Sequence, residues 1–136
     1  MKKLVKNLTR KVLMAGLVLT VVLSACVLSR AVKSVDNHFW CSGRYVGYND
    51  SMTSSKVTAT TGFTDTINGQ RTGVNVNTVI KDSAGRTKDG TAVHQESTRR
   101  VSGSYTCPTG YTAKSASIKH TAQVNGDTAS KSVSLN

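Results

Sequence analysis

The scarcity of leucine and glutamate after Val32 is the feature that most limits what this chain can fold into. From Val32 to Asn136 the sequence contains one leucine, Leu135, and one glutamate, Glu96, whereas serine and threonine together supply 30 residues. Leucine and glutamate are good helix formers, while threonine and valine are enriched in strands. The segment is therefore predicted to be nearly all β, with a thin apolar core.

Alternating polar and apolar residues, interrupted by turn signals, divide this segment into candidate strands. The expected strands are 39–48, 56–64, 73–82, 86–96 and 99–107, followed by a C-terminal hairpin. Strands of this length at this spacing are typical of a sandwich or barrel. The predicted fold is a small antiparallel β-sandwich of about six or seven strands.

The C-terminal hairpin is the best-determined part of this prediction. Asn125-Gly126 favours a type I′ turn, because both central residues of that turn need positive φ. The pairs expected around it are Val124 with Asp127, Ala122 with Ala129, His120 with Lys131, Ile118 with Val133 and Ala116 with Leu135. Because two cationic side chains opposite each other would repel, His120 is expected at the rim of the sheet.

The first 25 residues have the pattern of an export signal. A leader with five lysine and arginine residues precedes an uncharged apolar run, which extends from Val12 to Leu23. The sequence Leu23-Ser24-Ala25-Cys26, at the end of this run, resembles the lipobox of bacterial lipoproteins. In that family the cysteine is lipidated and becomes the mature N-terminus, so the resemblance implies lipidation of Cys26.

Two other interpretations of the leader stay open. Cleavage after Ser29-Arg30-Ala31 satisfies the rule of small residues at the cleavage site, apart from Arg30. An uncleaved signal helix is the other, because Lys11 and Arg30 bracket 18 uncharged residues, near the lower limit of roughly 17–25 for a spanning helix. All three place the chain from Val32 onward outside the cytoplasm. The expected organisation is a signal peptide over 1–25, a tether over 26–37 and one domain over 38–136.

The cysteine count predicts one disulfide in the exported domain. The chain has three cysteines, and lipidation or removal of Cys26 leaves Cys41 and Cys107 as a pair. An oxidising compartment would favour a bond between them. A shared metal is disfavoured, because neither cysteine belongs to a C-x-x-C motif and His38 is the one nearby candidate ligand. Closing a loop of about 65 residues would contribute roughly 4 kcal/mol to stability.

Tyr105-Thr106-Cys107 resembles the Tyr-x-Cys motif of immunoglobulin domains. The separation of Cys41 and Cys107 also fits that family, although Thr53-Ser54-Ser55 stands where its tryptophan is expected. The resemblance implies an immunoglobulin-like, disulfide-linked sandwich. In composition the chain is also similar to small Ser/Thr-rich exported proteins of Gram-positive bacteria.

The charge balance favours some partners over others. The formal net charge is +11, but from Val32 onward twelve cationic and seven acidic residues leave +5. A mildly basic surface favours contact with anionic wall polymers or lipid headgroups. It lacks the dense basic stripe of a nucleic-acid binder, so no nucleic-acid partner is expected.

Sequence motifs for catalysis or cofactors are missing. The chain has no G-x-S-x-G, H-E-x-x-H or phosphate-binding glycine motif. The spacings of His38, His94 and His120 match no readable metal site, so neither a metal nor another cofactor is expected. A hydrolase whose site is dispersed over distant strands stays open, because hydroxyl residues are abundant.

A cluster of aromatic residues follows the predicted tether. Aromatic side chains with an arginine can form a recognition patch. In one continuous strand, Trp40 and Tyr48 would share a face, and Phe39, Cys41 and Tyr45 would share the other. One set would then belong to the core and the other would be exposed. The candidate binding patch consists of Trp40, Arg44, Tyr45 and Tyr48.

These observations favour an exported, lipid-anchored and non-catalytic binding module of the cell envelope. Its expected partner is an anionic wall polymer, a glycan or a surface protein, and its membrane contact is the lipid anchor or signal helix. A secreted cationic effector of the bacteriocin kind is an alternative. Against it, the chain has no amphipathic, lysine-rich segment after residue 32.

Overall fold

The computed structural model describes residues 32–136, and this unit consists of strands and the turns between them. The strands of this unit are β1 (Lys33–Cys41), β2 (Arg44–Met52), β3 (Lys56–Phe63), β4 (Arg71–Asp82), β5 (Thr87–Asp89), β6 (Val93–Ser97), β7 (Arg100–Thr106), β8 (Tyr111–Val124) and β9 (Asp127–Leu135). The leader, the lipobox with Cys26 and the alternative cleavage site lie outside the described residues. Within residues 32–136, no helix has the length and apolar character needed to cross a bilayer.

The strands form two antiparallel sheets, which confirms the all-β sandwich. Sheet A has the order β1-β2-β3-β7, and sheet B has the order β5-β4-β8-β9 with β6 also paired to β4. The sheets meet at both edges, where β1 contacts β9 and β7 contacts β6. In immunoglobulin domains the second and third strands lie in different sheets, whereas here β2 and β3 are paired in sheet A. The strand order is therefore not that of the immunoglobulin fold.

The C-terminal hairpin forms in the predicted register. Val124 pairs with Asp127, and the ladder continues to Leu135 opposite Ala116. Asn125 and Gly126 have φ values of 50° and 91°, as a type I′ turn requires. The predicted strands 56–64 and 73–82 correspond to β3 and β4, whereas the expected strand 86–96 is divided into the short strands β5 and β6.

A hairpin replaces the single strand predicted over 39–48. Ser42 and Gly43 have φ values of 48° and 72° and form a two-residue turn between β1 and β2. Trp40 is consequently paired with Tyr45. Because β1 begins at Lys33, the predicted tether over 26–37 is also wrong in its last five residues, which belong to the strand.

The predicted disulfide is wrong, since Cys41 and Cys107 are both free thiols. Cys41 ends β1 at the Ser42-Gly43 turn, whereas Cys107 follows β7 and donates its backbone N–H to Ser55 at the opposite end of sheet A. The length of β3 separates these two ends by about 20 Å, and a disulfide needs Cα atoms within about 7 Å. Cysteine number and compartment gave no information on this separation.

The environment of Cys107 predicts a slow thiol. Burial raises the pKa of the Cys107 thiol, because the thiolate loses solvation. We expect Cys107 in the folded protein to be alkylated by iodoacetamide more slowly than free cysteine, with the rise in rate displaced to higher pH. Mass spectrometry of each cysteine-containing peptide across a pH series measures this. A disulfide-linked peptide, or a rate equal to that of free cysteine, would contradict the structure.

Candidate functional site

The outer face of sheet A carries an ordered set of exposed side chains. Successive residues of a strand point to opposite faces, so the register of the four strands defines rows that cross the sheet. The rows on the outer face are His38–Gly47–Gly62–Arg100, Asp36–Asn49–Thr60–Ser102 and Ser34–Ser51–Thr58–Ser104. The first row runs from an aromatic side chain to an arginine, and the other two are polar throughout.

Three aromatic side chains, His38, Trp40 and Tyr45, form what we call the aromatic cluster. The rings of His38 and Tyr45 are stacked, with centroids 4.6 Å apart. Trp40 stands edge-on to Tyr45 at 5.7 Å and to His38 at 6.0 Å. Offset or edge-to-face contacts at such distances are favourable, so the rings hold one another in place. Trp40 is nevertheless 60 % exposed and Tyr45 37 % exposed.

The structure divides the four residues of the predicted patch. Trp40 and Tyr45 are brought together and joined by His38. Tyr48 is only 4 % exposed and lies in the core, so its predicted place in an exposed patch is wrong. Arg44 alternates with Tyr45 and so belongs to the other side of the strand, where its guanidinium lies 3.8 Å from the Asp65 carboxylate.

A shallow groove of about 400 Å³ lies beside the aromatic cluster on the same face. It runs over the first two rows, and its lining includes Asp36, Asn49, Thr60, Arg99 and Arg100. Amide, hydroxyl, carboxylate and guanidinium groups in the lining could donate and accept hydrogen bonds to a ligand. An apolar platform therefore adjoins a polar groove, which is an arrangement suited to an amphipathic ligand.

Two glycines in the lining of this groove leave room for neighbouring side chains. Gly47 and Gly62 are paired across β2 and β3. A Cβ atom at Gly62 would lie 3.0 Å from Cγ of Arg100, and one at Gly47 would lie 3.5 Å from Cε1 of Tyr45. The absence of side chains at these two positions lets the arginine stem and the tyrosine ring pack close to the sheet.

A second group of polar residues lies inside the sandwich, between the two sheets. Nε2 of His120 donates to Oδ2 of Asp50 at 3.0 Å, and Nδ1 of His120 lies 2.7 Å from Oγ1 of Thr61. The ring of Tyr48 stacks on that of His120 at 4.5 Å. His120 is fully buried in β8, so its predicted position at the rim is wrong. Oδ1 of Asp50 has no hydrogen-bond partner among the described residues.

The order of Asp50, His120 and Thr61 is that of an orienting acid, a base and a hydroxyl, as in nucleophilic catalysis. All three side chains, however, have zero or near-zero exposure, and a substrate would have to reach Oγ1 of Thr61 through the packed core. The network instead links β2 and β3 of sheet A to β8 of sheet B. Burial and, secondly, the Asp50 carboxylate raise the pKa of the Tyr48 hydroxyl beside it.

The possible metal ligands of the described residues are dispersed over the two sheets. Among residues 32–136, no group of three or more histidine, cysteine, aspartate or glutamate side chains is placed to hold a metal ion. His94 lies on sheet B, 3.2 Å from the Glu96 carboxylate, and His38 belongs to the aromatic cluster. Among the described residues, the outer face of sheet A carries two of the three exposed large apolar side chains, Trp40 and Tyr45.

Comparison with protein-family models and with curated proteins gives no match for this chain. Function therefore has to be inferred from the site itself.

The sequence analysis did not predict the rows of the outer face, although a local signal exists for the turn between β1 and β2. Ser-Gly is a turn dipeptide, and Ser42-Gly43 stands between two alternating segments. A two-residue turn at this point pairs Trp40 with Tyr45. These two residues therefore share a face, whereas in one continuous strand Trp40 would share a face with Tyr48. No local signal places Gly62 and Arg100 in the first row, because β3 and β7 pair across a long separation in sequence.

Proposed function

We propose that this protein is an exported, lipid-anchored and non-catalytic module that binds a glycan of the cell envelope through the outer face of sheet A. One observation carries the proposal. Of the three large apolar side chains left exposed between Val32 and Asn136, two are Trp40 and Tyr45, which contact each other. Isolated exposed apolar residues are ordinary, whereas a contiguous exposed group marks an interaction surface.

The chemistry of the face favours a sugar as the ligand. A pyranose ring has an apolar C–H face and an edge of hydroxyl groups. The aromatic cluster offers exposed rings for the first, and the groove offers Asn49, Thr60 and Asp36 for the second. Because the rings already brace one another, binding would order few side chains, which lowers its entropic cost.

Location at the envelope is the part of the proposal that rests on the leader. The lipobox-like sequence ending at Cys26 supports a lipid anchor, and the first strand begins soon after it, at Lys33. The free thiols are compatible with export, because Cys41 is buried, Cys107 is partly buried, and buried thiols react slowly.

Retention on isolated cell envelope tests the proposal. Trp40→Ala and Tyr45→Ala are expected to weaken retention by about tenfold or more, since aromatic anchors at binding surfaces typically contribute about 2 kcal/mol. Their thermal unfolding midpoints should stay close to that of the wild type. Val32→Ala is the control, because Val32 is 61 % exposed and precedes β1 at the end of the strand away from Trp40. Wild-type retention of both aromatic variants would contradict the proposal.

A further inference from the structure

The groove beside the aromatic cluster ends at two consecutive arginines on β7 and the turn before it. Arg99 is held in place by a bond from Nη2 to the Thr64 carbonyl oxygen, at 2.9 Å. Arg100 lies in the same cross-strand row as His38 and Gly62, and its guanidinium has no hydrogen-bond or ion-pair partner among the described residues. A guanidinium with five donors is thus free on a surface already suited to binding.

The spacing within this row sets the reach of a ligand. His38, Gly47, Gly62 and Arg100 belong to four neighbouring strands, so the first and last positions are separated by about 14 Å, three strand spacings. The stem of Arg100 packs over Gly62, where a Cβ atom would approach within 3.0 Å. This contact limits the rotamers of Arg100 and leads its stem from β7 over β3, along the row toward the aromatic cluster, so about 14 Å is the longest distance that a ligand has to span.

The charges around the groove are not balanced. Arg44 is already paired with Asp65 at 3.8 Å. Of the charged residues that line the groove, Arg99 and Arg100 lie at its β7 end, and Asp36 lies on β1 at the other end. A ligand with negative charge at the β7 end and none near Asp36 complements this distribution. Bidentate recognition of a carboxylate or phosphate is the interaction that an arginine makes best.

We propose that the ligand is an acidic glycan, with a sugar ring against the aromatic cluster and a carboxylate or phosphate group at Arg100. This inference rests on the proposed function, because it assigns the charge and the orientation of the ligand at the same site. The acidic group is supplied either by a uronic acid or by a sugar phosphate, which share the chemistry that Arg100 recognises.

Matched pairs of polymers test the charge requirement with the full-length protein. Polygalacturonate is compared with its methyl-esterified form, and phosphomannan with neutral mannan. We expect at least one acidic polymer to bind about tenfold more tightly than its neutral partner, with a preference that falls as salt is added. The carboxylate and phosphate pairs distinguish the two sources. Equal binding of the acidic and neutral forms in both pairs, or binding of none of the four polymers, would overturn the inference.

Variants separate this inference from the proposed function. Arg100→Gln is expected to remove the preference for the acidic polymer, whereas Arg71→Gln, which removes the same charge from sheet B, should retain it. Equal losses in both variants would point to net charge alone and overturn the role of Arg100. If Trp40→Ala abolishes binding to every polymer while Arg100→Gln changes nothing, the glycan site stands and the acidic ligand is rejected. Polymer binding that is insensitive to Trp40→Ala would instead reject the proposed function.

Discussion

Replacing His120 with alanine is expected to lower the free energy of unfolding by about 3–5 kcal/mol, because it removes one partner of a buried polar pair and leaves the other without compensation. The carboxylate of Asp50 has one oxygen bonded to His120, and its other oxygen has no partner among the described residues. Without His120, neither oxygen would have a described partner inside the sandwich. Urea unfolding monitored by far-UV circular dichroism measures the loss.

Two controls make this expectation specific to the buried pair. His94→Ala changes an exposed histidine on sheet B and should cost less than about 1 kcal/mol. In the double variant Asp50→Ala/His120→Ala the loss should be smaller than the sum of the single losses, because the second removal leaves no additional unpaired group. Additive losses, or a His120→Ala protein as stable as the wild type, would contradict the network.

Truncating two tyrosines on the same strand should lower the free energy of unfolding by very different amounts. Tyr48 is 4 % exposed and stacks on His120, so Tyr48→Ala should cost about 3–5 kcal/mol, as for other large buried side chains. Tyr45 lies three residues away on the outer face, and Tyr45→Ala should cost well under about 1 kcal/mol. Thermal and urea unfolding of the pair test this, and similar losses in the two variants would contradict the assignment of faces.

Local signals in the sequence were sufficient for some elements of the fold. Asn125-Gly126 fixed both the turn and the register of β8 with β9, because a shift by one residue would place Ile118 and Val133 on the solvent side. From Val32 onward, the scarcity of leucine and glutamate and the abundance of threonine and valine favoured strand over helix along the whole segment. In these parts the short-range preference and the final packing agree.

Other features depended on contacts between distant segments. The pairing of His120 with Lys131 was predicted correctly, but the conclusion that His120 lies at the rim was wrong. Lys131 lies on the edge strand β9 and is exposed there, whereas β8 is central and sheet A covers His120. Inward-facing charges on edge strands are common, so the charge of Lys131 carried no information on its neighbour.

The candidate site was predictable only in part. Trp40, Tyr45 and the idea of an aromatic patch came from the sequence, because aromatic density is a local property. That His38 belongs to the exposed aromatic cluster and Tyr48 to the core could be seen only once the β1–β2 turn was known. The arginine at the far end of the groove required the pairing of β3 with β7, which joins segments about forty residues apart and has no local signature.

The emission of Trp40 tests the central claim, that the outer face of sheet A binds the ligand, most directly. Trp40 is the single tryptophan of the chain and is 60 % exposed, so its fluorescence reports the aromatic cluster without a label. Titration with solubilised envelope glycan is predicted to give a saturable blue shift and protection of Trp40 from quenching by acrylamide, because the ligand would cover the indole ring. Unchanged emission and quenching at concentrations where the protein is retained on the envelope would place binding elsewhere and contradict the claim.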